Sequence, residues 1–85
     1  MSTDVRAAVL AAIADVAPEA DAAAADGTAP LQQQLELDSM DFLDVLTAVA
    51  ERTGVDVRER DYDRVATLDG LIAYVEAGLR AAARG

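Results

Sequence analysis

Apolar residues recur at helical spacing in three stretches of the chain. This spacing predicts helices over about residues 3–17, 39–52 and 67–80, with a short helical turn over about 61–65. The positions predicted to face the core are Val5, Val9, Ala12, Ile13, Val16, Phe42, Val45, Leu46, Val49, Tyr62, Val65, Leu68, Leu71, Ile72, Val75 and Leu79. No stretch alternates with the period of a strand. The pattern predicts an all-α fold, a small antiparallel bundle of three main helices and one short helix.

The ends of the predicted helices carry capping and stop signals. Side-chain oxygens that can cap the three main helices come from Ser2 or Thr3, from Asp38 and from Thr67. Pro18 ends the first helix and Gly54 ends the second, because proline cannot continue a helix and glycine accepts the left-handed conformation that closes one. We expect residues 81–85 to fray, as chain ends usually do.

A long connection over residues 18–38 separates the first two helices. Proline and glycine interrupt it at Pro18, Gly27 and Pro30. The four consecutive alanines at 22–25 are compatible with a short helical turn between them. Loops of this length in compact domains are usually functional or disordered. We expect the apolar side chains of Leu31, Leu35 and Leu37 to anchor the connection to the core.

The composition narrows the chemistry that this chain can perform. Its 85 residues are enough for one domain with one core, and they include no cysteine, histidine or lysine. Disulfides and zinc or iron-sulfur sites therefore lack their usual ligands, which leaves only oxygen-liganded cations. The spacing of Asp61, Asp63 and Asp69-Gly70 does not match a calcium loop, so we expect no metal site. No serine can belong to a Ser-His or Ser-Lys catalytic pair, so we expect no catalytic residue and no enzyme activity. Without a leader-like or membrane-spanning apolar run, the chain is expected to be soluble and cytoplasmic.

The net charge of −9 is concentrated in one part of the sequence. No basic residue occurs between Arg6 and Arg52, and nine acids do: Asp15, Glu19, Asp21, Asp26, Glu36, Asp38, Asp41, Asp44 and Glu51. Nucleic acids are unsuitable partners because they need a positive face. Basic protein surfaces are the natural complement, although a merely solvated acidic surface is the simpler interpretation for most acidic proteins.

Ser39 is one of only two serines and stands where the predicted second helix begins. The nearby carboxylates of Asp38 and Asp41 are expected to stay ionised on an exposed first turn, where they complement the helix dipole and perform no acid-base catalysis. If Ser39 undergoes chemistry, another protein must perform it. The alternative is that Asp38 and Ser39 only cap the helix.

The order of motifs along the chain resembles the acyl carrier protein family. The run from Leu35 to Leu43 contains the tripeptide Asp38-Ser39-Met40 and follows a long connection. Gly54 to Val57, the acidic turn at Asp61-Tyr62 and the start of the last helix at 66–69 extend the likeness over most of the chain. The resemblance implies that a separate transferase attaches 4'-phosphopantetheine to Ser39, and that the cofactor thiol then carries an acyl or aminoacyl thioester.

The resemblance also implies which residues partner enzymes contact and what those partners are. The implied contacts are the acids Asp38, Asp41 and Asp44, the apolar residues Met40 and Leu43, and, more weakly, Glu51. The implied partners are a phosphopantetheinyl transferase and acyl-loading and acyl-processing enzymes with basic surfaces. We expect a monomer that neither binds nucleic acid nor inserts into membranes.

Three residues depart from the usual pattern of the family. Leu37 precedes Asp38 where many carriers have a small residue, Ala50 stands where an acid is common, and Arg58 replaces a frequent proline. A specialised stand-alone carrier of a lipid or secondary-metabolite pathway therefore fits at least as well as the housekeeping fatty-acid carrier. The other class left open is an unmodified acidic helical protein that masks a basic partner surface.

Overall fold

The computed structural model describes the backbone of residues 2–84 and the side chains of residues 4–83. Helix α1 spans Ser2–Val16, α2 is a single turn at Leu31–Gln34, α3 spans Ser39–Thr53 and α4 spans Leu68–Arg84. Two 3-10 segments, Ala22–Ala24 and Glu59–Val65, lie in the connections, and we call the latter the 59–65 segment. The side chains of Ser2 and Thr3, one of which was predicted to cap α1, and the terminal Gly85 lie outside the described part of the chain.

The long helices pack together as a bundle in which α1 contacts both α3 and α4. Residues 2–84 contain no β-strand, only an isolated antiparallel bridge between Pro30 and Thr67. These observations confirm the predicted all-α bundle. In the same part of the chain, no helix is both long and apolar enough to cross a bilayer.

The core consists of the inward stripes of the three long helices together with Ala22, Leu31 and Leu37 of the long connection and Val65 of the 59–65 segment. Side chains with no exposed surface are Val9, Ala12, Ile13, Leu31, Val45, Val49, Val65, Leu68, Leu71 and Val75. Of the predicted core positions, Val16, Tyr62 and Ile72 are half-buried. Leu79 was predicted to be buried but is 37% exposed, because residues 79–83 of α4 are all exposed and project beyond the packed part of the bundle.

The end of α4 also differs from the prediction. The helix continues to Arg84, whereas residues 81–85 were expected to fray from about Ala81. Alanine, leucine and arginine are the strongest helix formers, and they make up most of this last turn. Intrinsic helix propensity accounts for the continuation, since these residues gain little from burial.

The connection over residues 18–38 is held by hydrogen bonds as well as by buried leucines. The Gln34 amide donates to the carbonyl oxygens of Asp26 and Ala29 at 2.8 and 3.0 Å, and its oxygen accepts the Asp26 N–H at 2.8 Å. Leu31 N–H donates to the Ala66 carbonyl at 2.8 Å. The Gln34 bonds fold the connection onto itself, and the Leu31 bond ties α2 to the residues just before α4.

The three leucines predicted to anchor the connection all pack in or against the core. Leu31 and Leu37 are buried, and the half-buried Leu35 packs against the core. The four alanines contribute the short 3-10 turn at Ala22–Ala24, in which Ala22 is buried. The connection therefore forms a folded part of the bundle with two short turns.

Candidate functional site

The start of α3 is capped by the residue immediately before Ser39. Asp38 has extended backbone geometry, and its Oδ1 accepts the Asp41 N–H at 2.8 Å. Its carbonyl oxygen accepts the Phe42 N–H at 3.0 Å. The N–H groups of Ser39 and Met40 make no hydrogen bond with any residue that the structure describes. Two donors at the positive end of the α3 dipole are therefore available to an anion.

The turn that leads into α3 contains a strained residue. Glu36 has φ +54°, in the left-handed region that residues other than glycine and asparagine rarely adopt. The turn is closed by a hydrogen bond from Leu37 N–H to the Gln32 carbonyl at 2.9 Å, and Leu37 is buried. Glutamate is not a residue type that indicates this conformation, so the strained turn could not be predicted from the sequence. It fixes the direction in which the chain enters α3 at Ser39.

The outward side of α3 near Ser39 combines acidic and apolar side chains. Met40 is 69% exposed and Leu43 is 40% exposed. Asp38, Ser39 and Asp44 are exposed, whereas Asp41 is half-buried. The first two turns of the helix therefore place most of the predicted partner contacts on one surface. Glu51 is exposed but lies twelve residues along α3 from Ser39, a separation of ~18 Å at 1.5 Å per residue.

The inward side of the same helix is apolar throughout. Phe42, Val45, Leu46 and Val49 are buried, as their spacing predicted, and Ala48 joins them. Gly54 ends α3 with φ +80°, and its N–H donates to the Ala50 carbonyl at 2.8 Å. Burial of one face and capping at both ends fix the rotation of α3, so Ser39 is held at the surface.

A groove of about 370 Å³ opens beside Ser39 between α2, α3 and the 59–65 segment. Its lining is mostly apolar and consists of Gln32, Ser39, Phe42, Leu43, Tyr62, Asp63 and Ala66. Helical periodicity had assigned Phe42 and Tyr62 to the core, and both also form walls of this groove. The groove itself could not be predicted from periodicity, because three segments that are distant in sequence form it.

A second and larger groove, of about 800 Å³, lies between the end of α1 and the turn before α3 and does not include Ser39. Its acidic lining residues are Glu19, Asp21, Glu36 and Asp41. Within the described part of the chain, no three acidic side chains lie close enough together to hold a metal ion. Of the two grooves, the smaller one is lined by Ser39 and the larger one is not.

A polar contact links the 59–65 segment to α4 near the smaller groove. Tyr74 Oη donates to Asp61 Oδ2 at 2.7 Å, and Arg64 Nη1 lies 3.6 Å from Asp61 Oδ1. The hydrogen bond from Tyr74, assisted by the positive charges of Arg64 and Arg60, holds the pKa of Asp61 below its usual range although partial burial opposes this. The same bond and partial burial raise the pKa of Tyr74. The Asp61 carboxylate is therefore charged at neutral pH.

A family model described as the phosphopantetheine attachment site matches residues 7–75. The chain belongs to this family. The match begins within α1 and ends within α4, so it includes the start of α3 and both sides of the groove. The protein is a phosphopantetheine-carrying carrier domain of the acyl carrier protein type, a family whose prosthetic group is covalently attached. Neither curated proteins nor solved structures give a significant match to the chain.

The start of α3 fits a covalently attached phosphodiester. An exposed hydroxyl stands at the first helical position, beside two backbone N–H groups without a partner among the described residues. Helix N-termini of this kind bind phosphate because the N–H groups and the dipole both favour negative charge. The adjoining groove is mostly apolar, as the contact surface of an arm bearing an acyl group would need to be.

Proposed function

We propose that Ser39 carries the phosphopantetheine arm and that this carrier presents acyl or aminoacyl thioesters to partner enzymes. The observation that carries the proposal is that Ser39 is the only serine within the matched residues 7–75, since Ser2 lies outside them. Its hydroxyl is exposed, so a transferase can reach it. When attached, the group supplies the thiol that a chain without cysteine lacks.

The residues around Ser39 have distinct tasks in this proposal. Asp38 caps α3 and holds Ser39 at the first helical position. The free N–H groups of Ser39 and Met40 stabilise the negative phosphodiester. Phe42 and Leu43 offer an apolar surface on the groove side, which reduces the access of water to a bound acyl group.

The acidic surface at the start of α3 supports recognition by basic partners. Asp38, Asp41 and Asp44 carry negative charge around the exposed apolar side chains of Met40 and Leu43. Charged residues of one sign around a small apolar centre speed encounter with a complementary surface and fix its orientation. The proposed partners are a phosphopantetheinyl transferase and the enzymes that load and process the cargo, with Glu51 as a peripheral contact.

The pathway in the proposal is a specialised lipid or secondary-metabolite pathway. Its basis is the three departures from the common family pattern, at Leu37, Ala50 and Arg58. Leu37 is buried beneath the turn into α3, so its size is accommodated by the core and does not disturb the exposed site.

Co-expression with a broad-specificity transferase, followed by intact-mass measurement and mass spectrometry of the released cargo, tests the function. We expect one phosphopantetheine per chain and an acyl or aminoacyl group on its thiol. A protein that stays unmodified with several transferases but binds a basic partner would instead be an acidic interaction protein.

A further inference from the structure

The 59–65 segment forms one wall of the groove beside Ser39, and its apolar anchors are the buried Val65 and the half-buried Tyr62. Val65 at its end is its only buried residue, whereas Tyr62 and Asp63 line the groove. A 3-10 helix has weaker backbone hydrogen bonds than an α-helix and rarely persists over many residues. The first half of the segment, before Tyr62, therefore depends on polar contacts in addition to this packing.

The strongest polar contact of the segment lies immediately before the wall residues. Asp61 accepts the Tyr74 hydroxyl at 2.7 Å, and its side chain is only 18% exposed. Arg64 approaches the same carboxylate at 3.6 Å, and its guanidinium carbon lies 5.5 Å from the centre of the Tyr74 ring. A hydrogen bond to a charged acceptor is about twice as strong as one between neutral groups. Tyr74 of α4 thus contacts the segment at Asp61 and at Arg64.

We propose that Tyr74 is a positioning residue: acting through Asp61, its hydroxyl keeps the 59–65 segment in place as the groove wall. Tyr74 itself does not line the groove, so it acts only through the segment. The consequence for an arm on Ser39 rests on the proposed function: a fixed wall limits the access of water and nucleophiles to the thioester. The inference about the wall itself concerns the unmodified protein.

Tyr74→Phe is the variant that tests the inference. It removes the hydroxyl but retains the ring that packs against the core and faces Arg64. Asp15→Asn is the control, because it weakens a different contact between two elements, the exposed 2.8 Å ion pair of Asp15 with Arg52 between α1 and α3. Neither Asp15 nor Arg52 lines the groove.

Amide hydrogen exchange of the unmodified proteins is the first measurement. In Tyr74→Phe we expect the amides of residues 59–65 to exchange about tenfold faster, with those of α1 and α3 unchanged. Asp15→Asn should leave residues 59–65 unchanged. Unaltered exchange in this segment of Tyr74→Phe, or the same acceleration in every helix, would overturn the positioning role.

The second measurement uses protein loaded by a transferase with an octanoyl-pantetheine arm. Cleavage of the octanoyl thioester by hydroxylamine should be several-fold faster in Tyr74→Phe than in the native protein or in Asp15→Asn. Equal cleavage rates would overturn the link between the wall and the arm. If no transferase modifies the native chain, the proposed function fails, while hydrogen exchange still decides the role of Tyr74.

Discussion

Gly78 of α4 lies against Val55, in the loop that follows α3, so closely that a β-carbon on Gly78 would be 2.8 Å from Val55 Cγ1. Carbon atoms pack at about 3.5–4.0 Å. The sequence alone indicates only the cost of a helical glycine, about 1 kcal/mol relative to alanine. The structure explains the glycine. Since position 78 has no side chain, Val55 can pack directly against α4.

Gly78→Ala should therefore fail to gain the usual helix-propensity benefit. We expect the free energy of unfolding to fall by ~1–3 kcal/mol, the cost of overpacking a close contact. In a Val55→Ala background the same substitution should be neutral or stabilising, since the clashing methyl groups are gone. Urea unfolding of the four proteins measures this coupling. Stabilisation of the native chain by Gly78→Ala would show that the contact is readily relieved.

The two sides of α3 should respond differently to truncation. Val49 is fully buried, so Val49→Ala should lower the free energy of unfolding by ~1–3 kcal/mol through lost methyl groups and a partly filled cavity. Leu43 is 40% exposed beside the groove, so Leu43→Ala should melt near the native temperature but be modified more slowly. Thermal melts and a modification time course decide between these roles. If Leu43→Ala unfolds the protein while Val49→Ala leaves its melting curve unchanged, the assignment of the inward and outward sides of α3 is wrong.

Charge reversal near Ser39 should slow recognition without unfolding the chain. Asp44→Lys, and likewise Asp41→Lys, should reduce the rate of modification several-fold at low salt and less at high salt, because salt screens exposed charges beyond ~8 Å at physiological ionic strength. Stability should change by no more than ~1 kcal/mol.

Asp56→Lys is the matched control for these charge reversals, since Asp56 is exposed beyond the far end of α3. The modification rate of Asp56→Lys should stay close to native. Equal rates for all three variants and the native protein at low salt would remove the acidic surface from recognition.

The contact between Asp61 and Tyr74 should make stability depend on pH in a defined direction. The Tyr74 hydrogen bond lowers the pKa of Asp61 in the folded state. The stabilisation of the folded state by ionised Asp61 is therefore fully present above the unfolded-state pKa, and it is lost as the pH falls through the folded-state pKa. Tyr74→Phe should therefore be less stable than the native protein at neutral pH. The difference should shrink on acidification below about pH 4, where unfolded aspartate becomes protonated.

Denaturant unfolding of both proteins from neutral to acidic pH measures this difference. Arg64 and Arg60 also lower the pKa of Asp61, so a smaller dependence on pH should persist in the variant. A stability difference that is constant down to the acid transition would contradict the electrostatic origin of the contact.

Features encoded by local sequence could be predicted, and features assembled from distant segments could not. The bounds of α3, its cap at Asp38 and its stop at Gly54 follow from periodicity and residue type. The groove combines residues of three separate segments, which only tertiary packing brings together: Gln32, then Ser39, Phe42 and Leu43, then Tyr62, Asp63 and Ala66. The left-handed conformation of Glu36 and the close approach of Val55 to α4 likewise have no local signature. The partner contacts stay predictions, because exposure alone does not identify a binding surface.

Site-specific mass spectrometry is the most direct test of the central claim that Ser39 bears the phosphopantetheine. After incubation with a broad-specificity transferase and coenzyme A, the native chain should gain one phosphopantetheine, and fragmentation should locate it on Ser39. Ser39→Ala should gain none while keeping a native-like melting curve, and Ser2, the only other serine, serves as the internal control. A Ser39→Ala protein that still gains the group, or a native chain that several transferases leave unmodified, would contradict the account.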